Sequence, residues 1–247
     1  MKANWGQWLA DVLASIRAFF SGNGGDMDTQ PKWTFMVYLA GDNNLSDAAE
    51  RDLEEMAAVG STAGVNIVAE LDCIDEHRNS KRYYVKQGDL QEVADLGETD
   101  SGDPNNLLEY IAWTKENYPA DRYALVLWNH GGGWDKSSID TISQEVETKG
   151  YGRAEGAERS SSQLGRAFFR TTVKTIMGLE TAAERAICSD DGSGHSVDTV
   201  ELGKVLIEAK KLLGQKIDLM GMDACLMSNL EVAYQARDYV NYICLLY

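Results

Sequence analysis

Ile217-Asp218-Leu219-Met220-Gly221-Met222-Asp223-Ala224-Cys225-Leu226-Met227 is the stretch around which the 247-residue chain is organised. Its apolar half, 217–222, reads as a buried strand, and it runs directly into a cysteine. The spacing predicts a helix over 228–237. A sulfur placed there sits at the exposed end of a strand with a helix N-terminus beside it. The amides and the dipole of a helix start favour thiolate over thiol.

A second apolar stretch ends in the same manner. Residues 123–128 read as a strand, followed by Asn129-His130-Gly131-Gly132-Gly133-Trp134. Further strands are predicted over 33–40, 65–71 and 239–246. Helices are predicted over 45–59, with Ser46 as N-cap, over 104–117, with Asp103 as N-cap and Pro104 at the first helical position, and over 199–213. Residues 82–86 and 92–96 read as a hairpin around Gly88-Asp89. The irregular stretch 135–187 is polar over 136–162, with a helical pattern over 163–187, and 188–198 reads as an acidic turn. Strands alternating with helices imply an α/β fold with a mostly parallel sheet covered on both faces. In such sheets, sites form outside the carboxyl ends of the strands. His130 and Cys225 both lie within three residues of such an end. Neighbouring strands run about 4.8 Å apart, so adjacency of these two would let imidazole and sulfur meet.

Composition narrows the function classes. The formal charge is -16, which argues against nucleic acid as a partner, because a phosphate backbone is bound by Lys and Arg. An acidic surface serves solubility and attracts cations. Cys73, Cys188, Cys225 and Cys244 match neither a zinc spacing nor a disulfide framework, so free thiols are expected. No apolar run approaches the roughly 18 residues of a membrane span. Residues 1–20 carry Trp5, Trp8, Leu9, Val12, Leu13, Ile16, Phe19 and Phe20 at helical spacing. Asp11 and Arg17 interrupt that face, so it reads poorly as a signal peptide, and a cytoplasmic location is slightly favoured. The helix suits docking on the protein's own body or a partner, or at a membrane surface. Residues 21–30 read as a flexible linker, and the compact domain is taken as 31–247.

A cysteine nucleophile needs a deprotonated thiol, a proton donor for the leaving group, and donors for the oxyanion of the tetrahedral intermediate. His130 and Cys225 meet the first two needs; the amides of Gly131 and Cys225 offer the third. Taken singly, each motif has a plain alternative. Three glycines after a histidine also make a tight turn, and most buried cysteines are inert. Their joint occurrence after two strands carries the weight.

The chain resembles the clostripain family of cysteine peptidases, relatives of caspases, legumains and gingipains. The matching residues are 33–40 with Asp42-Asn43-Asn44-Leu45, Gly102-Asp103-Pro104, Asn129 to Trp134, and Asp223 to Met227 with Glu231-Val232-Ala233-Tyr234. The resemblance implies a caspase-like α/β/α sandwich, a His130/Cys225 dyad, and cleavage of protein or peptide substrates after Arg or Lys. A cationic P1 residue needs a carboxylate in its pocket, and Asp223 is the nearest candidate; ordering its own loop is an equally good role for it. The family's zymogen habit makes 135–187 a candidate processing segment, with Lys149, Arg153 and Arg159 as candidate sites. No cofactor is required by the sequence. Calcium dependence is known in the family, and Asp42, Asn43, Asp190, Asp191 and Asp198 are oxygen-rich. None forms an EF-hand spacing, so caps and turns are the expected roles and no metal ligand is assigned. His77 and His195 read as solvated loop residues. Family sequences continue past the last strand, so the C-terminal part of the family domain is expected to lie beyond Tyr247. The competing reading is a truncated, non-catalytic caspase-like binding or assembly module.

Overall fold

The computed structural model describes residues 31–74, 79–129, 186–224 and 230–245. The amphipathic segment 1–20, the linker, His77 and the candidate processing segment up to residue 185 lie outside them. In chain order the elements are β1 (Trp33–Gly41), α1 (Ser46–Val59), β2 (Val65–Cys73), β3 (Ser80–Lys86), β4 (Asp89–Gly97), α2 (Pro104–Asn117) and β5 (Arg122–Trp128). After the undescribed stretch come β6 (Ala186–Asp190), β7 (His195–Asp198), α3 (Thr199–Leu213), β8 (Ile217–Asp223), α4 (Leu230–Ala236) and β9 (Val240–Leu245).

Seven strands form one sheet in the order β4-β3-β2-β1-β5-β8-β9. The five from β2 to β9 are parallel; β3 and β4 add an antiparallel flank. β1 is buried along its whole length, as an unbroken apolar run in a central parallel strand should be. Its alternating side chains divide between two cores. Phe35, Val37 and Leu39 pack with Leu53 and Met56 of α1 on one face. Met36 and Tyr38 pack with Leu107 and Ile111 of α2 and with Leu202, Val205 and Leu206 of α3 on the other. Val232 and Ala236 place α4 on that second face. The expected α/β/α sandwich with a mostly parallel sheet is the architecture found.

Local chemistry sets the helix starts. The Asp103 carboxylate accepts from the Asn105 N–H at 2.8 Å, with Pro104 at the first helical position. Asp198 and Glu201 form a reciprocal capping box on α3, and Gly214 closes its end in the left-handed conformation. Ser46, by contrast, does not cap α1: it is the first helical residue. Leu45 is the N-cap and its side chain caps nothing; Asn43 orders the turn just before it, its Oδ1 accepting from the Leu45 N–H at 2.9 Å. The acidic stretch 188–198 is not a plain turn. It is the β6–β7 hairpin, a separate two-stranded sheet whose Ile187 and Val197 are buried. One inward apolar residue per strand is too short a pattern to show an alternation. Ala186 and Ile187 are accordingly strand rather than the end of a helix.

Candidate active site

The carboxyl ends of β5 and β8 meet. The two strands pair in parallel from Ala124↔Leu219 to Trp128↔Asp223, and the Asn129 N–H donates to the Asp223 carbonyl at 3.3 Å. The adjacency on which the sequence argument depended is therefore present. His130, Gly131 and Cys225 lie outside the described residues, as do Lys149, Arg153 and Arg159. Asp223 is described: it is half-buried at the last position of β8.

Asn129 is a structural peg at this end of the sheet. It is buried, and its amide donates to the carbonyls of Ala40 and Ser189, the latter at 2.9 Å; the Ser189 hydroxyl donates back to Asn129 Oδ1 at 2.9 Å. Asn43 makes a parallel pair of bonds to the same two carbonyls, each at 2.9 Å. Two asparagines thus tie the ends of β1 and β5 to β6, immediately before His130 in the chain. Cys188, next to Ser189, has φ 58, a conformation that L side chains seldom adopt, and its thiol is fully buried. Burial pushes that thiol well above its ordinary range, so it is not a nucleophile in waiting.

Asp52 is a site neighbour that the sequence did not mark. Its Oδ2 accepts from the Trp128 indole N–H at 2.8 Å. Burial pushes its carboxyl up to about 6; the indole hydrogen bond opposes that rise and the charge of Asp223 adds to it. Asp52 and Asp223 therefore share an electrostatic field at the strand ends. Trp128→Phe is expected to raise the Asp52 midpoint in an NMR pH titration, and Asp223→Asn to lower it. Midpoints that stay put in both variants would show that this field is not shared.

A second carboxylate group lies at the same end of the sheet. Asp42 follows β1, Asp72 stands near the end of β2, and Asp190 ends β6; one ligand atom from each lies within 4.8 Å of the others. Burial pushes the Asp42 carboxyl up to about 7, and the charge of Asp190 adds to the shift. Asp72 is likewise pushed up to about 7 by burial, against the opposing hydroxyls of Ser80 and Ser101. Backbone donors converge on the group: Ser101 N–H and Ser193 N–H on Asp190, at 2.8 and 2.7 Å, and Gly192 N–H on Asp42 at 3.2 Å. A Cβ on Gly192 would lie 2.3 Å from Asp42 Oδ2, so the turn can approach this closely only as glycine. Asp198 keeps the capping role read from the sequence. His195 is not a solvated loop residue: it starts β7, half-buried, and its Nδ1 pairs with Asp100, which also accepts from the Ser193 hydroxyl at 2.8 Å. That link docks the loop before α2 onto the hairpin, which it approaches so closely that a Cβ on Gly102 would lie 2.5 Å from the His195 backbone.

Known proteins share this fold. A sequence profile described as the clostripain family matches residues 37–157 and 175–245. Clostripain from Hathewaya histolytica is 27% identical over 233 residues, covering 83% of this chain and 36% of its own length. A secreted C11 cysteine protease from Bacteroides thetaiotaomicron, solved with an irreversible peptide inhibitor, superposes with a TM-score of 0.56 at 22% identity, over 86% of this chain and 48% of that one. An inactive zymogen C11 protease from Parabacteroides distasonis gives 0.55 at 21% identity, over 89% and 49%. The chain thus spans about half the length of these solved structures and 36% of clostripain. The structural likeness establishes the fold, the profile covers most of the sequence, and the chain belongs to the clostripain family.

Proposed function

We propose that the chain is a cysteine endopeptidase that cleaves after Arg or Lys through His130 and Cys225. The observation that supports this best is the parallel pairing of β5 with β8, in register at Trp128↔Asp223. His130 and Cys225 each follow that paired position by two residues, so the sequence delivers base and nucleophile from adjacent strand ends at matched offsets. In the proposed reaction, the Cys225 thiolate attacks the scissile carbonyl carbon. The resulting oxyanion is met by the amides of Gly131 and Cys225. The C–N bond then breaks, His130 gives its proton to the departing amine, and a thioester remains. Water, deprotonated by His130, hydrolyses the thioester and restores the thiolate.

Asp223 is the proposed reader of the cationic P1 side chain. The field it shares with Asp52 favours a positive guest at this end of the sheet. Proteins of the family include one described as an inactive zymogen, and the proposal extends to self-cleavage at Lys149, Arg153 or Arg159. Mass spectrometry of wild type beside Cys225→Ala tests this: fragments are expected only in the wild type, and identical fragments in both exclude self-processing.

The reading as a whole is tested with an electrophilic peptide probe bearing Arg or Lys at P1, with and without calcium. Stoichiometric labelling at Cys225 is the expected result. Absence of labelling in folded protein sinks the peptidase reading. It would favour a binding module, for which Leu230, Tyr234 and Tyr242, all strongly exposed on α4 and β9, offer an apolar surface.

A further inference from the structure

We propose that Asp52 of α1 is a positioning residue that sets specificity for the cationic side chain assigned to Asp223. It pins the Trp128 indole at the end of β5 and adds a second negative charge beside the Asp223 carboxylate. The inference rests on the endopeptidase reading and extends it to a residue on a different element.

Strand geometry brings the three residues to one face. Ala124, Val126 and Trp128 of β5 pack in the core beneath α1, and Leu219 of β8 packs against that same core. Side chains alternate along a strand, so Asp223, four residues after Leu219, falls on the α1 face as well. Trp128 and Asp223 are partners across the last rung of the β5–β8 pair. Partners in register stand side by side, on strands about 4.8 Å apart. Asp52 meets this rung from α1, its Oδ2 accepting from the indole N–H at 2.8 Å. Because Asp52 takes that donor, the indole does not spend it on Asp223.

A buried indole does not by itself call for a carboxylate. Trp33, at the start of β1, is also buried, and its Nε1 has no hydrogen-bond partner among the described residues. A neutral amide or hydroxyl would serve Trp128 at lower cost, because burying a charge is dearer than burying a dipole. The ionised form of Asp52 is opposed by burial, by Asp223 and by Glu55 on its own helix; the indole and Arg51 favour it. A charge kept against that opposition is most strongly compensated by a cation that enters beside it, and a guanidinium or ammonium held by Asp223 is such a cation. Burial raises the Asp52 carboxyl to about 6. Its contribution to cation binding is therefore small below that value and complete above it. By the same linkage a bound cation lowers the Asp52 midpoint, a tenfold gain in affinity on ionisation matching a fall of about one pH unit.

The test separates binding from turnover by using Cys225→Ala protein. Two fluorescein-labelled peptides differ only in carrying Arg or norleucine at P1, and affinity is read by fluorescence anisotropy at about pH 5 and about pH 8. Asp52→Asn keeps an oxygen acceptor for the indole and removes only the charge. It is expected to weaken the Arg peptide about three- to tenfold at the higher pH and less than about twofold at the lower, with the norleucine peptide unchanged. Asp52→Ala also releases the indole and is expected to weaken the Arg peptide further at both. If that variant fails to fold, Trp128→Phe, which removes the donor and leaves Asp52 in place, replaces it. Glu54→Gln, exposed on the same helix, is the unchanged control. In NMR titrations the Asp52 midpoint is expected to fall when the Arg peptide saturates the protein. Equal losses for the Arg and norleucine peptides overturn the inference in favour of a purely structural role. An Arg affinity untouched by Asp52→Asn at the higher pH, or a midpoint the peptide does not move, overturns it equally. Failure of the underlying reading looks different: wild-type protein is then not labelled at Cys225 by the Arg probe, and this inference falls with it. Normal labelling beside an unaltered Asp52→Asn variant overturns this inference alone.

Discussion

Cys225→Ala is expected to reduce hydrolysis of peptides with Arg or Lys at P1 to background, a loss on the order of 10⁴-fold or more. The reason is that no other sulfur can substitute. Cys73 and Cys188 are buried, and Cys244 stands on β9 within the sheet. His130→Ala is expected to lower kcat by about 10²- to 10⁴-fold, the usual contribution of a positioned acid and base. It should also change the sulfur itself. Without an imidazolium beside it, the Cys225 thiol returns toward its ordinary value of about 8.5. The pH dependence of iodoacetamide alkylation, read at Cys225 by mass spectrometry, separates this effect from simple unfolding. Hydrolysis that survives Cys225→Ala in pure protein would refute the dyad. An alkylation profile unmoved by His130→Ala would show that the two groups are not in contact.

The second large effect is on stability. Arg82 of β3 donates through Nε to Glu70 of β2 at 2.6 Å, and both side chains are nearly fully buried. The guanidinium also lies over the Trp113 ring at 4.7 Å. Burial pushes the Glu70 carboxyl up to about 7, although Arg82 opposes the shift. Between the ordinary glutamate value and about 7 the folded state binds a proton that the unfolded state does not. Stability from this group is therefore complete at low pH and falls as pH rises through 7. Arg82→Ala removes the opposing charge and moves the folded value higher still. The variant is expected to lose about 3–5 kcal/mol at pH 8, where an uncompensated buried carboxylate or its forced protonation bears the cost. At pH 5, where Glu70 is already neutral in the fold, the loss should be clearly smaller. Denaturant melts at both pH values check this. Equal losses would mean that stacking on Trp113, rather than charge, is what Arg82 contributes.

Much of this was legible in the chain. β1, β2, β5 and β8 stand where apolar runs placed them, because a strand buried on both faces must be apolar throughout. Asp103-Pro104 marked a helix start correctly, since a cap acts over a few residues and its signal is local. The Ser46 cap failed because the helix begins one residue earlier: the amides of Ala48 and Ala49 donate to the Leu45 carbonyl, and the Ser46 hydroxyl accepts from the Ile74 N–H instead. His130 and Cys225 were singled out by their positions after two such strands. That the two strands are neighbours is a matter of sheet order, which local periodicity does not encode.

What sequence alone established is therefore the inventory: which segments are strands and helices and which fold class can bury them, with candidate residues for chemistry just past the strand ends. The assembled fold decided who meets whom. It set β5 against β8, brought Asn129 to Ser189, paired Arg82 with Glu70, and gathered Asp42, Asp72 and Asp190. Each of these is a contact between residues distant in the chain, formed only when packing fixes the strand order and register. A lone aspartate in a turn has the same local signature whether it faces water or two other carboxylates. Asp223, two residues before Cys225 in the chain, gained its neighbouring strand by that same route.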